Sequence, residues 1–452
     1  MKPLAAFMIS FLASCTPFVQ KDDSIATRAA GLQENAIQMR MFTDTSAYAP
    51  SRPNRQIAQD FLDLSFQMES GRTIPFLTRF EGPIRVRATG DVSPSLVTDL
   101  NILLGRLRSE AHIDISMSNT ASAQITVEAI PRAKLQQAVP SAACFVVPRI
   151  SSWADFTLAR RTPQLDWTTL TTRDRATIFV PSDVAPQEIR DCLHEELAQA
   201  LGPLNDLYRL PDSVFNDDNI HTVLTGFDML ILRMYYSRQL RNGMTRTDVA
   251  ARLPNLLASM NPRGQQRSDA PAPNTSRDWV EAMEAALANG STPTYRRQAA
   301  ERAINMGRAF GWTGAREGFA QYAYGRLQVG NNSAVALAAF NEAARAYSTA
   351  PETRIHTAHI AMQQAAFALA AGDSEAVLRL TDASIDVAAR YQNAALLATL
   401  MMFKAEALDM QGDTAMADAI RLDSLGWARY GFGSDANVQA RLDEIAALRP
   451  FL

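Results

Sequence analysis

The sequence predicts an α+β domain followed by an all-α helical-repeat domain, and three observations lead there. Up to about residue 258, short stretches that alternate apolar and polar residues are interleaved with stretches whose apolar residues recur at helical spacing. From residue 261 to 276 the chain is rich in Pro, Gln, Ser, Asn and Asp, with almost nothing to bury, which is the composition of a linker. Beyond it, alanine-rich amphipathic segments continue without a strand pattern. Gly330, Gly372 and Gly412 interrupt them at a spacing of about forty residues, the period of helical-pair repeats. The expected boundaries are a signal peptide over 1–14, a tether over 15–53, the first domain over 54–258, a linker over 259–276 and the helical domain over 277–452.

Within the first domain, residues 84–88 alternate as a half-buried strand does, and 96–107 carry helical spacing. Residues 112–117 and 123–129 read as two more strands, and 176–180 as a short β-rich run. Pro186 then suits the first turn of a helix reaching Leu201. In the second half each glycine lies between two alanine-rich runs: 319–329 with 334–346, 359–371 with 375–388, and 394–411 with 414–425. Ala336, Ala376 and Ala417 would let paired helices approach closely, with Phe340 and Leu380 filling the interface. This pattern resembles tetratricopeptide-like repeats; a plain helical bundle is the alternative. Either form offers a surface for a protein partner and no evident chemistry.

At 452 residues the chain is long enough for two or three cores, and 47% hydrophobic with 20% charged residues is ordinary for a folded protein. A net charge of −3 excludes a general nucleic-acid binder, whose footprint is basic. Arg160 and Arg161 are a solvated pair rather than part of a basic stripe. Lys2, an apolar run over 4–12 and Leu12-Ala13-Ser14-Cys15 form the layout of a signal peptide. The ending resembles the bacterial lipobox, which implies a lipid on Cys15 as membrane anchor, a periplasm-facing chain and, with Thr16 next, the outer membrane. Three cysteines are present. With Cys15 acylated in an oxidising compartment, a Cys144–Cys192 disulfide is expected, two buried thiols being the alternative.

The chemistry-bearing run is Glu195-Glu196-Leu197-Ala198-Gln199-Ala200-Leu201-Gly202-Pro203-Leu204-Asn205-Asp206. Its skeleton resembles the zinc-binding motif of the metzincin peptidases, His-Glu-x-x-His-x-x-Gly-x-x-His. There, imidazoles at i and i+4 share one helix face and one metal, the glutamate activates the metal-bound water, and the glycine turns the chain to deliver a third ligand. Glu195, Gln199 and Asn205 stand at the three ligand positions here, Glu196 at the base and Gly202 at the turn. Asp212-Ser213-Val214-Phe215 sits where metzincins place their methionine turn, with Phe215 in the methionine position, and residues 224–235 resemble their closing helix. The chain is further similar to a proteobacterial lipoprotein family, domain of unknown function 2927, in this run and in Phe215-Asn216-Asp217-Asp218-Asn219. The resemblance implies an α+β metzincin/zincin-like fold over roughly 80–245.

All three ligand histidines are replaced, and starting the frame at His194 puts Ala198 in the second place. Amide oxygens are poor partners for zinc, so no metal cofactor is expected. His112, His221, His356 and His359 are scattered along the chain, and His221 reads as a turn residue. Three readings follow. Glu195, Gln199, Asn205 and Asp206 form a hydrogen-bonded network that replaces the metal; or their oxygens hold a hard cation such as calcium, leaving Glu196 as general base of an atypical hydrolase; or the groove binds an extended peptide along a sheet edge without cutting it. Asp217 and Asp218 read as loop caps or cation contacts. The first and third readings, a non-catalytic cleft serving binding or scaffolding, are preferred.

Overall fold

Parallel strand pairing organises the N-terminal half. In the computed structural model, which describes residues 38–43, 49–140, 142–266, 274–288 and 290–450, this half comprises α1 (Asn54–Phe66), β1 (Ile84–Gly90), α2 (Pro94–Glu110), β2 (Ile115–Met117), β3 (Ile125–Ile130), α3 (Arg132–Ala138), β4 (Phe145–Pro148), α4 (Trp153–Ala159), β5 (Ala176–Pro181), α5 (Pro186–Leu201), α6 (Gly226–Tyr235), α7 (Arg246–Ala250) and α8 (Leu253–Met260). The signal peptide, Cys15, most of the tether and residues 267–273 of the expected linker lie outside the described residues.

The five strands run in the order β2-β1-β3-β5-β4. β1 pairs in parallel with β2 and β3, β3 pairs in parallel with β5, and β4 alone is antiparallel, along the outer edge of β5. Every residue of β5 is buried, as a strand covered on both faces requires. On one face α2 and α5 supply Leu96, Leu100, Leu103, Leu193 and Leu197 to the main core. On the other, α3 and α4 contribute Leu135, Trp153 and Phe156, which close over Phe179. The strand expected over 112–117 begins only at Ile115, because His112 adopts φ 58°, a turn conformation that ends the preceding helix. Residues 261–266, expected to start the linker, are instead tied to the first helix: Asn54 donates to the Asn261 carbonyl and accepts from its side chain.

The C-terminal half is largely helical: α9 (Arg277–Leu287), α10 (Pro293–Ala309), α11 (Ala315–Gln328), α12 (Ser333–Tyr347), α13 (Arg354–Ala370), α14 (Ser374–Arg390), α15 (Ala394–Met410), α16 (Thr414–Phe432) and α17 (Asp435–Ala446). The loops at Gly330, Gly372 and Gly412 join α11 to α12, α13 to α14 and α15 to α16. Close packing explains Gly325: a Cβ there would lie 2.7 Å from the buried ring of Phe340. Ala336 and Ala417 are fully buried, but Ala376 and Leu380 line an open groove of about 670 Å³ between α12, α13 and α14.

Residues 39–452 form one compact unit. The seam between its halves joins apolar contacts, such as Ile220 with Ile355 and Tyr208 with Trp279, to buried polar ones. Gln187 on α5 donates to the Asn393 side chain at 3.1 Å and accepts from Ala395 N at 2.9 Å, while Arg190 donates to the Gln392 carbonyl at 2.5 Å. Tyr430 donates to Asp99 at 2.7 Å. Part of the expected tether joins in, with Phe42 stacked on Trp427 at 4.6 Å. A Gln187→Ala variant strands a buried amide at the start of α15, so unfolding free energy falls by about 1–3 kcal/mol. Calorimetry should show both halves still melting in one transition; two separate transitions would contradict a shared core.

Candidate functional site

The motif helix α5 follows directly from β5, the most buried strand, and its register is set at three points. Pro186 opens it. Midway, Cys192 is disulfide-bonded to Cys144 beside β4, with Cα atoms 6.0 Å apart, as expected from the cysteine count. At its end the buried guanidinium of Arg173 donates to the carbonyls of Gln199 at 2.7 Å, Ala200 at 2.8 Å and Gly202 at 2.5 Å. These are the orphan carbonyls of a helix C-terminus, and a cation there also opposes the helix dipole. Arg173 further lies over the Trp167 ring. No motif announces this residue, which reaches α5 from the turn before β5.

Gly202 ends the helix with φ −168°, outside the left-handed region that its place in the motif suggests. The glycine is required for another reason: a Cβ would sit 2.9 Å from the buried Tyr235 ring on α6. Asn205 donates to the Asp63 carbonyl at 3.0 Å and so ties the turn to α1. The expected Glu195–Gln199 and Glu195–Asn205 bonds are not among the hydrogen bonds of the described residues. The segment around Phe215 is anchored by Asp228 of α6, whose carboxylate accepts from the Ser213 hydroxyl at 2.5 Å and from the amides of Val214 and Thr225. Phe215 itself is fully buried. His194 accepts from Leu224 N at 3.0 Å and is held neutral by burial first, then by Arg106 and Arg190.

Above this floor opens a cleft of about 1500 Å³, bounded by Glu69, Asn205, Asp206, Tyr208, Asp217 and, from the helical half, Glu284 of α9. Residues 140, 142 and 143 also line it and lead into β4. The carboxyls crowd one another. Burial first, then Glu195 and Glu69, pushes Glu196 well above the usual carboxyl range. Asp206 is raised likewise, with Asp217 adding to the repulsion. Burial, then Glu69 and Asp217, lifts Glu195 to about 7, and burial with Glu69 lifts Asp217 to about 6. Glu69 and Asp206 share a side-chain hydrogen bond, which requires one of the two to be protonated. Glu69 and Tyr208 carry no sequence signal, since only the fold brings their loops to α5.

Residues 54–255 match a family model. Its description is protein of unknown function (DUF2927). The matched segment runs from the first residue of α1 into α8 and so includes the sheet, the motif helix and the Phe215 loop. No curated protein and no solved structure matches the chain.

Among the described residues, no group of three or more His, Cys, Asp or Glu is arranged to hold a metal ion. No described helix is long and apolar enough to cross a membrane. Three histidines that look scattered in sequence converge where the halves meet. His356 on α13 bonds Asp218 at 2.9 Å, His221 lies against it with ring centroids 5.8 Å apart, and His359 reaches Asn393 at 3.4 Å. Asp218 is thereby a contact to the helical half and a loop cap, accepting from Ile220 N at 3.1 Å. Replacing Arg173 by Met leaves three buried carbonyls at the motif turn without their donor and should lower stability by about 3 kcal/mol in denaturant titration. A variant within about 0.5 kcal/mol of wild type would show that the cap is dispensable.

Proposed function

We propose that the protein is a lipid-anchored, periplasm-facing binding protein whose cleft holds an extended polypeptide without cutting it, while the helical half docks a protein partner. The observation that carries this reading is the pairing of a large cleft with an open strand. β4 pairs only with β5 among the described residues, and the chain just before it, at 140, 142 and 143, lines the cleft. A polypeptide adding to such an edge gains main-chain hydrogen bonds, while pockets select its side chains. The groove between α12, α13 and α14 supports the docking role and the tetratricopeptide-like reading of the helices. The degenerate metzincin reading is supported by a helix that carries Glu195 and Gln199, ends at Gly202 and is followed by Asn205 on the cleft surface. Cys15 carries the anchor in this reading.

A hydrolase using Glu196 is the competing view. A general base must be ionised to accept a proton, yet Glu196 is 5% exposed and its surroundings favour the neutral form. Incubated with a library of extended peptides, the full chain should retain some of them and leave all intact by mass spectrometry. Glu196→Gln should bind peptides without basic side chains within about two-fold of wild type, since no charge is lost from a neutral acid. N-methylation of alternate peptide amides should abolish binding, and Cys15→Ser should release the chain from membranes. Cleavage by wild type that is lost in Glu196→Gln, with metal at one equivalent, would instead establish the hydrolase.

A further inference from the structure

The wall of the cleft is not uniformly acidic, and its arginines are already engaged. Arg209 pairs with Asp60 at 2.9 Å and Asp63 at 2.7 Å, and Arg246 pairs with Asp63 at 2.7 Å. Arg132 pairs with Glu188, and Arg277 with Glu281 and Glu284. Five carboxyl groups are left over: Glu69, Asp206 and Asp217 on the cleft surface, with Glu195 and Glu196 beside them. None of the five has an ion pair among the described residues. Two oxygens of this group, Glu196 Oε2 and Asp206 Oδ1, are shielded from solvent and have no hydrogen-bond partner. Glu196 is buried almost completely, against Glu195 and Glu69. A buried polar atom without a partner is costly, and such atoms in folded proteins are generally met by a ligand or water.

We propose that this acidic floor is a recognition pocket for a basic side chain, arginine or lysine, of the polypeptide held in the cleft. The inference rests on the reading of the cleft as a peptide groove and names the side chain that the groove selects. Metal is the poorer occupant, since a hard cation such as calcium needs six to eight oxygens at about 2.3–2.6 Å, and no such convergence is found among the described residues. A guanidinium or ammonium at the end of a long stem suits dispersed carboxylates, because each donor finds its own oxygen at about 2.7–2.9 Å.

The test is a fluorescence-anisotropy titration of the full chain with ten-residue extended peptides that carry one central arginine, lysine, citrulline or norleucine. The cationic peptides should bind about ten-fold tighter or more than their neutral counterparts, the size expected for charge-assisted bonds. That preference should vanish in Asp206→Asn and in the separate variant Asp217→Asn, with melting temperatures confirming that both are folded. Equal affinity for charged and neutral peptides, all lost on backbone N-methylation, would overturn the pocket and leave the groove standing. Binding of arginine amide alone, with no peptide bound, would overturn the groove and keep the pocket. Calcium binding at one equivalent that displaces the cationic peptide would overturn the inference in favour of a metal site.

Discussion

The structure depends on how α5 is clamped. Its first turns are held by Gln187 and Arg190 to the turn before α15, its middle by the Cys144–Cys192 bond to the edge strand, and its end by Arg173. A helix fixed at one end only would fray at the other, since four carbonyls there lack intrahelical partners. Here the last turn is capped by a buried cation, and the Gly202–Tyr235 contact allows the following chain to fold back toward α1. The cleft floor therefore inherits the rigidity of the main core. It also lies on the helix that joins the two halves, so whatever occupies the cleft acts on an element the helical half touches.

That rigidity permits the unusual charge arrangement. Five carboxyls without counter-cations would drive a mobile loop apart or draw in water; held on α5 and the turns packed against it, they shift toward their neutral forms instead. The neighbouring arginines do not relieve them because Asp60 and Asp63 on α1 already engage Arg209 and Arg246. The oxygen-bearing side chains of this run thus have different tasks. Asn205 is a tie to α1, Glu195 a half-buried acid, and Glu196 a deeply buried one.

Much of the fold was legible because strong periodicity survives in the sequence. β1, α2, β3, β5 and α5 all fall where alternation or helical spacing places them, and α5 has the expected bounds. The glycines at 330, 372 and 412 do separate helix pairs. The Cys144–Cys192 disulfide matches the expectation drawn from the cysteine number. What escaped was short or tertiary. β4 has only four residues and α1 lies just beyond a stretch that looks like a tether. His221 and His356 meet only because a loop of one half is pressed against a helix of the other. The run from Glu195 to Asp206 is legible in the sequence, but its neighbours are not: Glu69, Tyr208 and Arg173 sit in loops whose positions no local pattern encodes. Gly202 was placed at the correct turn for the wrong reason, ring contact rather than backbone hand.

The central claim is that α5 is shared by both halves and cannot loosen alone. Amide hydrogen exchange followed by mass spectrometry tests it directly. The account predicts that amides of α5 and of the start of α15 exchange together, at the slowest rate and only on global unfolding. Exchange of α5 through a local opening that leaves α15 protected would contradict it.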